Sequence, residues 1–474
     1  MISTEMGRKK KLFSNTMIFG AGTFISKVLV FLLMPLYTAL LSTEEFGTAD
    51  ILTQTANLII PIAVLGVSDG LFRFTLDADP NRRKQIFSVA ILTLAIGMAP
   101  LAIIIQLFRL SSVYTGFVWL LFFYICAANL HMIVANYVRG CDRTKVYAFQ
   151  GIVNTVLVII FNVLFLVVFD MGVTGYLLSV VLADFLVSVG LIIFCRLYKD
   201  IRFGGMSKTL SKELFKFSIP YIPLTLMWSI TSASDRFVIL AVMGENATAI
   251  NGLYAAAYKL PTLITIAGGI FIKAWQISSV SESDANERAS FFGNVYKNYL
   301  SLMFTGGAFL IAFSRLFTKI LLNDSYYDSW KFVPVLAIAM VFSAFSEFLG
   351  SIYFVHKNSV RSLVTAAFGA GMNIALNFAL IPFLGAMGAA IATAVCYAIV
   401  FLIRLIDTRR LMSFNRSVVK TVVNTVLILG QAVLMIFDPP FWWIYQICIV
   451  AFFAVFNGKD IVSALLKIIK RKKI

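Results

Sequence analysis

The chain has 474 residues, of which 60% are hydrophobic and 13% are charged, and its formal net charge is +17. Its mean hydropathy is +0.89. A soluble domain carries about 25% charged residues, so this composition excludes an ordinary soluble protein and indicates a chain solvated by lipid. The Lys and Arg residues lie between hydrophobic runs and not in one basic region. That distribution argues against nucleic acid as a partner and follows the positive-inside rule.

Hydrophobic runs in chain order predict membrane-spanning helices, because one span needs about 20 apolar residues. The first run follows the basic stretch Arg8–Lys11 but is far longer than the hydrophobic region of a signal peptide. We therefore interpret it as a retained helix. Fourteen spans are predicted, at residues 13–41, 51–73, 85–108, 115–138, 147–169, 174–197, 214–243, 250–277, 291–317, 331–355, 361–383, 386–406, 417–437 and 441–457.

The loops between these runs differ in charge. The seven loops after odd-numbered spans are short and contain no Lys or Arg, whereas the basic residues gather in the other loops and at the chain ends. Arg109, Arg315, Lys319 and Lys331 are exceptions, but they lie at helix ends, where long side chains reach the interface. Because Lys and Arg mark the cytoplasmic side, we expect both termini in the cytoplasm.

A polar, basic segment after the sixth span divides the chain. We predict an all-α integral membrane protein with an N-terminal six-helix bundle (1–200), a cytoplasmic linker (201–213), a C-terminal six-helix bundle (214–410) and two further helices with a basic tail (411–474).

The two bundles show signs of an internal repeat. Gly172-Val-Thr-Gly175 joins spans 5 and 6, and Gly385-Ala-Met-Gly388 joins spans 11 and 12. Asn154 and Asn162 precede the first junction as Asn373 and Asn377 precede the second. Because six is an even number, both halves enter the membrane in the same orientation, which predicts a pseudo-two-fold axis along the membrane normal.

Charged residues interrupt several predicted spans. Asp235 and Arg236 lie inside span 7, Lys259 inside span 8, Lys27 near the middle of span 1 and Asp184 inside span 6. A charge at the centre of a spanning helix costs about 2.5–3.5 kcal/mol on insertion scales, so it is rare unless it faces a polar interior. Either these residues line a path for a polar substrate, or the acids pair with cations on other helices. Asp235 and Arg236 point about 100° apart on a helix, which makes them poor partners for each other.

Motifs for catalysis and for cofactors are not found. The sequence has no P-loop, no Ser/His/Asp set and no pair of carboxylates in an aqueous loop. Its five cysteines form no CxxC pair, and its two histidines are His131 and His356. We therefore expect neither an enzyme nor a metal site, and no cofactor.

Short motifs recur in a characteristic order from the first span to the eighth. They are Pro35-Leu-Tyr-Thr38, Leu40-Leu-Ser-Thr-Glu-Glu-Phe-Gly47, Gly66-Val-Ser-Asp-Gly-Leu-Phe-Arg73, Asp235-Arg236, Gly252-Leu-Tyr254, Tyr258-Lys259-Leu260 and Ala274-Trp275-Gln276. With these motifs the chain resembles the Wzx-like polysaccharide and oligosaccharide flippases of the multidrug/oligosaccharidyl-lipid/polysaccharide (MOP) exporter superfamily. The resemblance implies a MATE-like fold with two helical bundles around a central cavity that opens alternately to each side. It also implies a polyprenyl pyrophosphate carrying a short oligosaccharide as the substrate.

The resemblance gives the charged positions candidate roles. Lys27, Asp235, Arg236 and Lys259 are predicted to bind the substrate in the cavity, where the excess of cations attracts the pyrophosphate. Arg binds phosphate through two parallel hydrogen bonds, and Lys acts as a point charge.

Further candidates lie away from this central group. Asp69, Arg73 and Lys273 lie toward the cytoplasmic side, where they could first capture the headgroup or, alternatively, serve topology and lipid contacts. Asp184 and Glu347 are candidates for binding a coupling proton or sodium ion.

The resulting expectation is a flippase of the bacterial plasma membrane, used in making capsule, exopolysaccharide or another surface glycan. Its partners would be the lipid-linked oligosaccharide, membrane lipids, the polysaccharide polymerase and glycosyltransferases. A flippase for peptidoglycan precursors and a cation-coupled multidrug exporter of the same superfamily remain alternatives, although a drug exporter would favour an acidic cavity. A membrane polymerase or ligase is less compatible, because the predicted outward loops are short. A channel is less compatible as well, because two related halves are typical of a transporter.

Overall fold

The structure is a computed structural model. It describes residue 29 and residues 31–76, 78–202, 207–281, 285–356 and 359–471, with the side chains of most of them. In this part of the chain every regular element is a helix, and no strand occurs. The protein is therefore an all-α integral membrane protein, as the composition predicts.

The chain divides into two compact units, Met1–Ala233 and Ser234–Ile474. The first unit contains helices α1 (Met34–Leu40), α2 (Thr43–Ala63), α3 (Val67–Leu76), α4 (Pro80–Ile104), α5 (Val118–Gly140), α6 (Thr144–Asn162), α7 (Gly172–Phe194), α8 (Lys208–Ser218) and the first part of α9 (Tyr221–Val242). A π-helical segment, Val163–Val168, continues α6.

The second unit begins inside α9. It continues with α10 (Ala247–Lys259), α11 (Thr262–Ser281), α12 (Ala285–Ala312), α13 (Ser314–Leu321), α14 (Val333–Val355), α15 (Ser359–Leu384), α16 (Ala386–Asp407), α17 (Val418–Phe437) and α18 (Trp442–Arg471).

Helix α8, which follows the polar linker, packs with the first unit. A Cβ at Gly66 would lie 2.7 Å from the carbonyl oxygen of Ser218, so α3 and α8 are in close contact. Arg82 also donates a 3.0 Å hydrogen bond to Glu213. The packing division consequently falls after the linker, at Ala233, and the domain boundaries at 200 and 213 stay a prediction.

Nine helices in the described part of the chain are long and apolar enough to span a membrane. The number rises to ten if the bent pair Phe292–Ala312 and Ser314–Leu321 forms one span. These helices make the protein a multi-pass membrane protein. The count of fourteen stays a prediction, because span 1 lies largely outside the described residues and spans 2, 7 and 8 are each divided between two helices.

A proline lies near each point where span 2, 7 or 8 is divided between two helices. Pro61 is near the end of α2, Pro220 lies between α8 and α9, and Pro261 lies between α10 and α11. Proline lacks the backbone N–H that a helix interior needs, and its ring clashes with the preceding turn. The helices therefore end close to these prolines.

Each of the two junctions of the predicted repeat contains a glycine with a positive φ. Gly172 has a φ of 50° at the start of α7, and Gly385 has a φ of 58° just before α16. Glycine adopts this left-handed conformation without the steric cost that a Cβ would add. Three residues later the chain again has no room for a side chain, since a Cβ at Gly388 would lie 2.6 Å from the carbonyl oxygen of Leu380. This shared geometry supports the repeat.

Each unit has its own aromatic core. In the first unit, Phe87 of α4 stacks on Tyr137 of α5 with ring centroids 4.2 Å apart. In the second unit, α14 is central, and its Phe345 and Phe348 contact Tyr299 of α12. Aromatic pairs in these arrangements contribute roughly 0.5–1.5 kcal/mol beyond the burial of their area.

The last two helices, α17 and α18, form an antiparallel hairpin joined by polar side chains. Three buried or half-buried pairs face each other along it: Lys420 with Asp460, Asn424 with Asn457, and Gln431 with Gln446. The hairpin is also tied to α12, because Lys297 lies 2.9 Å from Asp460 and Gln431 donates to the carbonyl oxygen of Ala308. Hydrogen bonds between helices add to van der Waals packing in holding helices together in a membrane, where the hydrophobic effect does not drive their association.

Candidate functional site

Asp235 is the centre of a buried polar network in the second unit. Its carboxylate accepts three hydrogen bonds, from the Tyr254 hydroxyl at 2.6 Å, from the Asn377 amide at 2.7 Å and from the Thr393 hydroxyl at 2.8 Å. Asp235 has no exposed surface. A carboxylate in α9 is thus held by donors from α10, α15 and α16, which explains how it is accommodated inside a spanning helix.

The network continues through neighbouring amides. Asn373 donates to the Thr393 hydroxyl at 3.1 Å and accepts from Asn377 at 3.2 Å. Ser234 also donates to Asn373. The three partners of Asp235 lie on three different helices, so the carboxylate joins α9 to α10, α15 and α16.

Arg236 lies beside this network and is 2% exposed. Its Nη1 is 3.8 Å from the Asp235 carboxylate, which is too long for a hydrogen bond. The guanidinium instead lies over two aromatic rings, 4.4 Å from the Tyr258 centroid and 5.1 Å from the Tyr254 centroid. Cation–π contacts of this kind are worth about 2 kcal/mol or more when they are desolvated. Arg236 is thus held over aromatic rings and within ion-pair distance of a carboxylate whose hydrogen bonds come from other donors.

The remaining predicted substrate-binding residues are Lys259 and Lys27. Lys259 is the last residue of α10, is half-buried and lies two residues before Pro261. Because Tyr258 stacks on Arg236, the end of α10 lies near the Asp235–Arg236 pair. Lys27 lies outside the described residues.

In the first unit, Asp184 of α7 forms a second buried cluster. Its carboxylate lies 2.9 Å from Nδ1 of His131 on α5 and accepts a 2.9 Å hydrogen bond from Asn154 on α6. His131 Nε2 lies 2.7 Å from the Gln150 side-chain oxygen. The side chains of Asp184 and His131 are 12% and 16% exposed.

The geometry of His131 bears on the number of protons in this cluster. Both ring nitrogens face oxygen atoms, one of Asp184 and one of Gln150. A neutral imidazole has a single N–H and can donate to only one of them, whereas a protonated imidazole donates to both. In the amide orientation shown, the cluster can therefore hold one additional proton between the histidine and the carboxylate.

A polar cavity of about 310 Å³ lies in the first unit. Its polar lining consists of neutral amides and hydroxyls, from Gln54, Asn57, Ser68, Asn129, Thr225, Ser229 and Ser232. Asn129 is fully buried, and its Oδ1 has no hydrogen-bond partner among the described residues; the same is true of the buried Ser68 Oγ. Buried polar atoms are normally satisfied, so these two unpartnered groups are unusual features of the residues that line the cavity.

Four other predicted residues remain: Asp69, Arg73, Lys273 and Glu347. Arg73 is exposed near the end of α3, and Glu347 is exposed on α14. The side chains of Asp69 and Lys273 lie outside the described part of the chain. None of these roles is tested by the geometry, and they stay predictions.

Several residues of these clusters were not predicted from the sequence. His131 and Gln150, the partners of Asp184, are polar residues within predominantly apolar helices, and so is Thr393 near Asp235. The signal that could have identified them is their position, because a His, Gln or Thr in the middle of a span needs a partner inside the protein. Which partner it finds depends on helix rotation, and a single helix sequence does not contain that information.

The sequence matches a family model described as "Polysaccharide biosynthesis protein" over residues 12–275. The match covers more than half of the chain. No curated protein matches the chain significantly.

Solved structures of transporters share the fold. The chain is similar to the lipid II flippase MurJ in an inward closed conformation, with a TM-score of 0.71 and 15% identity, over 95% of this chain and 100% of that one. It is similar to an inward-facing multidrug resistance MATE family transporter of the MOP superfamily, with a TM-score of 0.66 and 15% identity, over 81% and 94% of the two chains. A MOP superfamily transporter from Pyrococcus furiosus, reported to have a binding pocket of reverse polarity, gives a TM-score of 0.57 and 16% identity, over 84% and 96%.

These comparisons confirm the resemblance drawn from the motifs. The structural matches are too distant in sequence to show more than the fold, whereas the family model covers enough of the chain to show the family. The chain therefore belongs to the polysaccharide biosynthesis protein family and has the fold of the MOP superfamily transporters.

Proposed function

We propose that this protein is a flippase that moves a polyprenyl-pyrophosphate-linked oligosaccharide across the bacterial plasma membrane by alternating access. One observation carries the proposal: a chain of a polysaccharide biosynthesis family has the fold of a transporter. That fold matches a lipid II flippase over the full length of the flippase. Both termini would lie in the cytoplasm, and the polysaccharide polymerase and glycosyltransferases would act with it. Its role is transport and not catalysis.

The substrate would meet two kinds of surface. Arg236 and Lys259, with Lys27, would supply positive charge for the pyrophosphate, since guanidinium and ammonium groups are strong phosphate ligands. The neutral cavity of the first unit, with the unpartnered Asn129 Oδ1 and Ser68 Oγ, would hydrogen-bond sugar hydroxyls. Asp235 would keep Arg236 in place, and its own network supports a positioning role.

A strain lacking this protein is expected to accumulate one polyprenyl-pyrophosphate oligosaccharide, because synthesis continues while transport stops. Extraction of the lipid-linked sugars and mass spectrometry would identify it, and restoring the gene should clear it. An unchanged pool would contradict the proposal.

The same measurement separates the alternative transporters. A peptidoglycan-precursor flippase is favoured by the match to MurJ over all of that chain, and its loss would instead enlarge the pool of the peptidoglycan precursor. A drug exporter would leave both pools unchanged and would lower the efflux of dyes and drugs.

For ion coupling we propose Asp184, because its cluster with His131 can hold one additional proton. Glu347, exposed on α14, remains a second candidate for the coupling proton or sodium ion. A carboxylate paired with His inside the membrane is a typical arrangement of proton relays.

Asp184→Asn is therefore expected to remove the dependence of transport on the proton gradient. Clearance of the accumulated lipid-linked sugar would be followed at two external pH values, and only the wild type should respond to the change. Asp170→Asn is the matched control, because Asp170 belongs to the same unit, is exposed and lies between α6 and α7. A normal pH response in Asp184→Asn would exclude this carboxylate as the coupling group.

A further inference from the structure

A cleft of about 820 Å³ lies in the second unit where α16 ends and α17 begins. It is lined by residues from the end of α16, from the segment between the helices and from the start of α17, and by Phe456 of α18. The basic residues nearby belong to the side that the distribution of Lys and Arg predicts to be cytoplasmic.

Arg416 is a buried cation at this cleft, with only 6% of its surface exposed. Its guanidinium donates to three neutral acceptors: the carbonyl oxygens of Leu405 at 2.6 Å and Met412 at 3.1 Å, and the Thr408 hydroxyl at 2.9 Å. Its Nε is buried and has no partner among the described residues. A buried charge is normally paired, because its desolvation is costly.

The other charges of the cleft have the same sign. Arg409 and Lys420 line it as well, and none of the side chains that line it is acidic. Lys420 pairs with Asp460, but that single carboxylate also pairs with Lys297 at 2.9 Å. In the ion pairs of the described residues, neither Arg409 nor Arg416 has an acidic partner. Burial lowers the pKa of Arg416, and the positive charge of Arg409 acts in the same direction.

The start of α17 adds a further positive potential. Its N-cap residue Ser417 makes no capping hydrogen bond with its side chain. The first N–H groups of a helix have no partner within it, and they form a ready site for anions such as phosphate. The buried Arg416, the neighbouring Arg409 and this helix start therefore all favour an anion.

The rim of the cleft is apolar and faces outward. Ile406, Val418 and Val419 are 67%, 55% and 79% exposed, and Phe456 is 40% exposed. In a membrane protein such side chains contact acyl chains. A ligand of this cleft must then combine an anionic headgroup with hydrocarbon.

We propose that this cleft binds the phosphate of an anionic phospholipid, with Arg409 and Arg416 as its ligands and the acyl chains against Ile406, Val418 and Val419. The lipid supplies the counter-charge that the buried Arg416 lacks. It also links the end of α16 to the C-terminal hairpin. The proposal concerns a membrane lipid that stays bound, and it does not depend on the transported substrate.

The test uses the purified full-length protein in neutral detergent, titrated with dioleoylphosphatidylglycerol or dioleoylphosphatidylcholine and followed by native mass spectrometry. Phosphatidylglycerol should bind more tightly than phosphatidylcholine. Arg409→Ala should weaken phosphatidylglycerol binding by about fivefold, the factor that corresponds to one basic residue near an anionic surface. Arg410→Ala is the matched control, because Arg410 is exposed, equally charged and adjacent but does not line the cleft; its affinity should be unchanged.

The same titration has outcomes that would overturn the site. Equal weakening in Arg409→Ala and Arg410→Ala would show a general attraction to basic surface, and equal binding of the two lipids would show that charge is not recognised. Displacement of the lipid by an equal concentration of inorganic phosphate would assign the cleft to free phosphate instead. Arg416→Lys keeps the charge but loses donors, and an affinity equal to that of the wild type would contradict the role of Arg416.

Discussion

Asp235→Ala is expected to remove the protein from the membrane and not merely to inactivate it. The substitution deletes the acceptor of three hydrogen bonds and leaves the donors on Tyr254, Asn377 and Thr393 without it. Each hydrogen bond to a charged group contributes about 1.5–3 kcal/mol, and breaking a buried pair costs about 3–5 kcal/mol. A loss of that size is a large part of the total stability of a typical protein, about 5–15 kcal/mol.

The measurement is membrane abundance, together with the Tm of whatever protein can be purified. Asp328→Ala is the control in the same unit, because Asp328 is 66% exposed in a surface pair with Lys331. Such a pair contributes about 0–1 kcal/mol, so that variant should remain near the wild type. Asp235→Asn keeps the shape and one acceptor oxygen, and we expect an intermediate loss. Wild-type abundance and Tm in Asp235→Ala would show that the network contributes little to stability.

Loss of the cation at Arg236 or at Lys259 is expected to abolish flipping while membrane abundance is retained. Arg236→Met and Lys259→Met fill similar space without charge, so they separate loss of a phosphate ligand from loss of packing. Charge-assisted hydrogen bonds to phosphate contribute about 1.5–3 kcal/mol, which corresponds to a loss of transport of more than about tenfold for each variant.

The readout is clearance of the lipid-linked oligosaccharide pool, normalised to the amount of protein in the membrane. Arg236→Lys retains the charge but not the planar stacking on Tyr254 and Tyr258, and it should recover part of the activity. Lys331→Met removes an exposed cation of the same unit and should leave clearance unchanged. Full activity in both Arg236→Met and Lys259→Met would refute the role of these cations in substrate binding.

The fold class was predictable from the sequence, and the internal contacts were not. Hydropathy and short loops predict helices, and Pro261 and Gly385 lie at helix ends where their backbone chemistry requires it. The predicted span 291–317, however, bends by 65° where Ser314–Leu321 begins. This short segment has no proline, and its Arg315 and Lys319 make one face polar, a local pattern that an average over twenty residues hides.

The candidate site shows the same limit. The cost of a charge in a span identified Asp184 and Asp235 from the sequence alone. Their partners lie far away along the chain, since His131 precedes Asp184 by 53 residues and Thr393 follows Asp235 by 158. Which side chains meet depends on how each helix is rotated about its axis, and that rotation is decided by the packing of all its neighbours.

The three polar pairs that join α17 to α18 constrain how these helices enter the bilayer during synthesis. On its own, α17 would carry Asn424 and Gln431 into hydrocarbon, where each unpaired polar group raises the free energy of insertion, whereas Lys420 lies near the helix start and can reach the interface. The partners of all three lie in the helix that the ribosome makes next. We therefore expect α17 to stay shielded until α18 emerges and the two helices to enter the lipid together as one hairpin.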